Sequence, residues 1–147
     1  MDTSNFIFVF GSDLLGTHRI GPAITAVCDH RAKVGISVGP TGDCYAIPTK
    51  TKPTKGSADA LPVETIEKYV TDFLSYARVH PDTIFMVTPI GCGIAEFTAD
   101  QIGPLFKDAP KNVMLPIKFH EAAFGAMVKD RVSYNFPKNP GHGSGKI

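Results

Sequence analysis

Four short runs, Asn5–Phe10 (NFIFVF), Cys44–Thr49 (CYAIPT), Thr83–Ile90 (TIFMVTPI) and Asn112–Ile117 (NVMLPI), put apolar residues on both faces of an extended chain. That pattern suits strands covered on both sides, as in a parallel sheet, and not the one-sided alternation of a half-exposed antiparallel sheet. Helical signals fall between the runs. Pro22 stands where a first turn accepts proline, and Ile24, Val27 and Cys28 share a face over Pro22–His30. Val63, Ile66, Val70, Phe73, Leu74 and Ala77 recur at helical spacing and place a second helix from Leu61 to about Val79, ended by His80-Pro81. Thr98 and Gln101 have the form of a capping box and start a third helix toward Phe106, made irregular by Gly103-Pro104. Gly35, Gly39 and Gly42 break up the stretch before Cys44, and one more helix fits the residues from Phe119 onward. The order β-α-β-α-β-α-β predicts an α/β fold of three layers, α-β-α, around an open, mostly parallel sheet.

A chain of 147 residues is expected to form one core, and no apolar run nears the ~20 residues of a membrane-spanning helix. Apolar residues make up 43% and charged residues 20%, which excludes a wholly disordered or collagen-like chain. The N-terminus, MDTSNFIF, is acidic and polar, unlike a signal peptide, so a cytoplasmic protein with no membrane partner is expected. Cys28, Cys44 and Cys92 are odd in number and include no CxxC pair, so reduced thiols are expected, with neither a disulfide framework nor a metal site. The net charge of +1 is uneven: residues 129–147, rich in Pro and Gly, hold Lys129, Arg131, Lys138 and Lys146 against Asp130. A body over 1–128 and a basic C-terminal tail over 129–147 follow, and with no basic excess in the body a nucleic-acid partner is not expected. GxxxxGK[ST] and HExxH are missing, which removes the P-loop NTPase and HExxH zinc-hydrolase readings.

In an open α/β sheet the ligand crevice lies beyond the carboxyl ends of the strands. Three loops occupy that position. The first offers Gly11, Ser12, Asp13, Leu14, Leu15 and Gly16, with Gly21 further on; the second offers Thr49 and Lys50. The third offers Pro89, Ile90, Gly91, Cys92, Gly93, Ile94 and Ala95, with Phe97 just beyond. Backbone amides around Gly91-Cys92-Gly93 can turn inward on a phosphate, aided by the dipole of the helix capped at Thr98. The alternative is that the two glycines only permit a tight strand-to-helix turn. A second glycine-rich loop at the same sheet edge favours binding.

The stretch TPIGCGIAEFTADQI resembles the phosphate-binding loop of macro domains, an Ile-Gly-Cys-Gly-type turn followed by a helix, and FVFGSDLLGTHRIGPAI resembles their earlier glycine-rich loop. More closely, FGSDLLGTH, YAIPTK and TPIGCGIAEFT resemble a family of small phage and bacterial non-structural proteins without an established activity, over about residues 6–119. The macro-domain resemblance implies binding of ADP-ribose or a related nucleotide as the small-molecule partner, with the diphosphate between the two glycine loops and adenine in a side pocket. It implies no cofactor. A phage origin would add an anti-defence role in the host cytoplasm, the sequestration of a nucleotide immune signal such as a cyclic ADP-ribose derivative. Two departures stand out. Macro-domain hydrolases of one large group carry Asn-Ala-Ala-Asn where this chain has Gly11-Ser12-Asp13-Leu14, so that catalytic assignment does not transfer. The phage-type family has asparagine in place of Asp13 and glycine near Arg19. A hydrolase of ADP-ribose linkages and a non-catalytic protein-interaction module remain as alternatives.

Individual residues keep two readings each. Asp13 contacts a ribose hydroxyl or an adenine amine, or assists catalysis as a base, or caps a turn through its own backbone. His18 touches phosphate or serves as acid or base, or is simply an exposed loop histidine. Cys92 is a nucleophile at a helix N-terminus, or a small buried residue. Lys50 follows the strand end directly and faces the crevice to pair with phosphate, whereas Lys52 and Lys55 read as solvated loop charges. Phe97 stacks on a base or joins the core, and Tyr69 and Tyr76 edge the stripe of the long helix.

Overall fold

The first strand, β1 (Phe6–Asp13), organises the sheet, because its apolar residues reach both faces and both of its edges are paired. A computed structural model describes residues 6–125 and 130–137 of the chain. One edge of β1 pairs in parallel with β3 (Cys44–Lys50), the other with β4 (Ile84–Val87). Outside these lie β2 (Gly39–Thr41), antiparallel to β3, then β5 (Val113–Pro116) and β6 (Ser133–Tyr134), each parallel to its inner neighbour. The order is β2-β3-β1-β4-β5-β6.

The twofold alternation along the strands divides the core into two layers. Val9, Tyr45, Ile47, Phe85, Val87 and Leu115 face α2 (Val63–Arg78), the short α3 (Ala99–Ile102) with the 3-10 turn Gly103–Phe106, and α4 (Ile117–Phe124). Phe73 of α2 anchors that layer, its ring 4.9 Å from Tyr45 and 5.5 Å from Phe85. Phe8, Phe10, Cys44 and Ala46 face the other way, toward α1 (Pro22–His30), whose Ala23 and Ala26 let it sit close to the sheet. The protein is thus an α/β fold with a mostly parallel sheet between helical layers, as the sequence pattern predicts.

The differences lie at element ends. β1 runs through Asp13, so part of the first glycine loop is strand. β4 stops at Val87, yet Thr88 donates both its N–H (3.0 Å) and its hydroxyl (2.8 Å) to the Val9 carbonyl, which keeps the chain beside β1 as it turns out of the sheet. α4 begins at Ile117 because Pro116, extended at ψ 147, forms its N-cap directly at the strand end. Neither β2 nor β6 is expected from the sequence. β6 comes from the segment read as tail, and nearby Arg131 lies 4.4 Å over the Phe124 ring and donates to the carbonyls of Ala109 and Pro110. Asn5, the end of the last expected helix over 126–129, Lys129, and the stretch 138–147 with Lys138 and Lys146 lie outside the described residues. Among the described residues no helix is long and apolar enough to cross a membrane.

Candidate functional site

Parallel pairing brings the carboxyl ends of β1, β3 and β4 to one edge, and there a crevice of about 400 Å³ opens. The first and third loops lie side by side in it. A Cβ built on Gly11 would stand 3.5 Å from the Cβ of Ile90 and 3.6 Å from the Gly91 nitrogen, which is ordinary van der Waals contact.

The first loop is held by Asp13. One carboxylate oxygen accepts from the Leu15 N–H (2.9 Å) and more weakly from Thr17 N–H (3.4 Å); the other accepts from the Thr17 hydroxyl (2.6 Å). Both oxygens are engaged, which is the turn-capping arrangement. Ser12 donates its hydroxyl to the Ser37 carbonyl (2.6 Å), and a Cβ on Gly16 would lie 2.7 Å from Gly35, so this loop leans on residues 33–38. In consequence Leu14 and Leu15 point to solvent, and with Gly16 they stand outside the crevice wall, while Gly11, Ser12 and Asp13 line it. His18 also lines it, buried rather than exposed, at φ 52. Its Nε2 donates to the Ile36 carbonyl (2.9 Å) and its ring meets Phe10 edge-on at 5.0 Å.

From the first loop the chain enters α1 through Gly21, whose φ of 61 and ψ of −138 suit glycine, and Pro22. No side chain caps this helix and no acidic residue stands in its first turn. The Ala23 N–H has no backbone acceptor among the described residues. Gly21, Pro22 and Ala23 line the crevice, so the positive end of the α1 dipole opens into it. The helix expected to play that part, α3, has only four residues, none of which lines the crevice, and its capping box turns two N–H groups inward: Thr98 accepts from the Gln101 N–H (3.3 Å) and Gln101 from the Thr98 N–H (2.8 Å).

The third loop folds on itself through Cys92 N–H to Pro89 (3.2 Å), Glu96 N–H to Gly93 (2.9 Å) and Phe97 N–H to Gly91 (2.8 Å). That pattern leaves the N–H groups of Gly93, Ile94 and Ala95 without an acceptor among the described residues, and all three residues line the crevice. The two glycines differ. Gly91 has φ 76, and a Cβ there would press within 3.3 Å of Phe97, so the tight turn requires it. Gly93 has no left-handed angle and nothing within 4 Å of a built Cβ; its missing side chain leaves the crevice open.

Lys50, at the end of β3, is 1% exposed and donates to the carbonyls of Thr54, Gly56 and Ile94. It therefore ties the second loop to the third and sets a positive charge in the wall, beside Thr49. Arg19, Lys55 and Glu96 stand exposed at the rim; Lys55, read as a solvated charge, is among the lining residues. Pro89 and Ile90 line the crevice as expected, whereas Phe97 packs on the α2 side of the core and lines no cavity here. Cys92 packs there too, and burial pushes its thiol up to about 11, which disfavours the nucleophilic thiolate.

A second cavity of about 620 Å³ adjoins the first at Gly21, Pro22, Pro89 and Gly93. Cys92, Ile117, Phe119, Tyr134 and Phe136 make its largely apolar walls, and the Tyr134 hydroxyl is fixed by donation to the Val87 carbonyl (2.5 Å). Sequence reasoning missed it because β6 sits in the segment read as tail. Arg19 and Ala23 were missed as well, although Pro22 marks the helix start that brings Ala23 to the rim.

No family model, curated protein or solved structure matches the chain. The chemistry of the crevice is accordingly read from its own residues: backbone donors from two directions, one buried ammonium whose three protons go to carbonyls, so that Lys50 lends charge and not the expected direct pairing with phosphate, and no group of three or more His, Cys, Asp or Glu placed to hold a metal among the described residues. Such a lining accepts an anion rich in oxygen atoms.

Proposed function

We propose that this chain binds an ADP-ribose-type nucleotide through its two glycine-rich loops. The observation that carries the reading is the convergence of the unpaired Gly93, Ile94 and Ala95 amides and the uncapped start of α1 on one crevice with Lys50 in its wall. Two donor groups side by side suit two linked phosphates better than one. The adjoining apolar cavity, with Phe119, Tyr134 and Phe136 in its wall, suits a nucleobase joined to that diphosphate. Binding without turnover is favoured over hydrolysis because Asp13, the candidate base, has both oxygens committed to its own loop. With the resemblance to phage proteins, the role extends to holding a nucleotide immune signal, such as a cyclic ADP-ribose derivative, intact.

A thermal-shift panel of ADP-ribose, NAD, cyclic ADP-ribose and AMP tests this. A ligand at 100 times its dissociation constant stabilises the fold by about 2.7 kcal/mol and raises Tm accordingly. ADP-ribose-type ligands are expected to do so and to be recovered unchanged. Turnover lost in Asp13→Ala would establish the hydrolase instead, and a panel without any shift would favour a protein-interaction module.

A further inference from the structure

We infer that the apolar face formed by the first glycine loop and residues 33–38 is covered by a second copy of this chain, in a twofold dimer beside the crevice. Eight large apolar residues stand exposed among the described residues, and six of them, Leu14, Leu15, Ile20, Val34, Ile36 and Val38, come from these two segments. The segments lie directly against each other. The Gly35 N–H donates to the Gly16 carbonyl (2.8 Å), the Ser12 hydroxyl to the Ser37 carbonyl (2.6 Å) and His18 Nε2 to the Ile36 carbonyl (2.9 Å). Main chain, Ser12 and His18 thus hold the face together, and none of the six apolar side chains packs against either layer of the core. Isolated exposed apolar residues are ordinary on a folded protein; their concentration along one seam is not.

Charge and area select the occupant. Residues 14–17 and 34–42 include no charged side chain, and both Asp13 oxygens are turned into the loop, so the centre offers nothing to an acidic or a basic partner. Twofold pairing sets a surface against itself, and a charge at the centre would face its own copy. Here the charges stay outside: Arg19 and Lys33 flank the two segments, and Arg31 is paired with Asp43 (2.9 Å). The six side chains together expose roughly 500 Å², and each partner in a standard-size interface buries about 800 Å², so they make its apolar centre and leave room for a polar rim. Pairing of strand edges is not the route. β2 is the outermost strand on this side of the sheet, but Pro40 in its middle has no N–H to offer a further strand. Ile20 also lines the crevice, so the second copy stands at the crevice mouth.

The test is sedimentation equilibrium on the full chain at high micromolar concentration, in the wild type and in Leu15→Asp and Val34→Asp, with Val79→Asp and Val132→Asp as controls. Leu15 and Val34 are 61% and 66% exposed and the control valines 72% and 63%, so a charge is added at sites equally open to water, on the face or away from it. Wild type and controls are expected at twice the 15.8 kDa chain mass, and Leu15→Asp and Val34→Asp at the single mass with unchanged Tm. A monomeric wild type, an open-ended series of larger species, a dimer that survives both face substitutions, or controls that dissociate it as well would overturn the inference. In a mixture of isotope-labelled and unlabelled wild-type chain, intermolecular NOEs should arise from the methyl groups of Leu15, Val34 and Ile36. Contacts that fall elsewhere overturn it even if a variant fails to fold. Nucleotide binding is read separately: a dimer that binds no ADP-ribose fails the proposed function alone, and a monomer that binds it fails this inference alone.

Discussion

Gly91 and Gly93 lack side chains for different reasons, and the difference gives a clean experiment. At Gly91 a valine would sit at φ 76 and crowd Phe97 and Ile102, so Gly91→Val is expected to lower Tm, and lost binding there would report damage to the turn. At Gly93 a valine meets open space; Gly93→Val is expected to melt like the wild type and to lose diphosphate binding in calorimetry. Retained binding would show that the third loop does not face the ligand. The thiols give a second expectation. Burial pushes Cys44 up to about 12 and Cys92 up to about 11, whereas Cys28 is exposed on α1. Iodoacetamide near pH 8 should label Cys28 first, as peptide mass spectrometry would read. Because these folded-state values lie above the unfolded thiol's 9.0, the stability they contribute is present below pH 9 and is lost as pH rises through about 11 to 12; the urea midpoint should fall over that range. Asp13 shows what sequence leaves open at this scale. A carboxylate two residues before an amide it can cap reads the same as one facing a ligand, and only the position of Thr17 decides between them. His18 read as exposed because its cover, residues 33–38, is brought in by the Gly16–Gly35 contact, which no local pattern signals.

Among the elements, α2 has the longest periodicity and the least ambiguity. Phe73→Ala removes a fully buried ring between Tyr45 and Phe85 and is expected to destabilise the fold by about 3–5 kcal/mol in urea unfolding. Thr98→Ala removes the capping box of α3 at about 1 kcal/mol. Since α3 is four residues long and α1 is the helix open to the crevice, diphosphate affinity should hold in that variant; a parallel loss of affinity would return the anion-binding role to α3. The helices over Pro22–His30 and Leu61–Val79 were legible because each spans enough turns to show a face, and the structure places them at Pro22–His30 and Val63–Arg78. β2 and β6, three and two residues long, are too short to show any period and exist only through their neighbours. Lys50 was legible as a crevice residue from its place at a strand end, but its three carbonyl partners come from loops whose paths the sequence does not give.

For the whole molecule, parallel pairing of β1 with β3 and β4 fixes which ends of the strands share an edge, and so fixes where a ligand is held. That much followed from the apolar runs. The second cavity did not, because it needs the sixth strand from the segment beyond residue 129. The central claim is that main-chain N–H groups from two loops receive linked phosphates. Amide NMR on the labelled chain, titrated with ADP-ribose, observes those groups themselves. The N–H signals of Ala23, Gly93, Ile94 and Ala95 are expected to move together and saturate at one ligand per chain; signals that stay still there while others move, or that do not move at all, would contradict it.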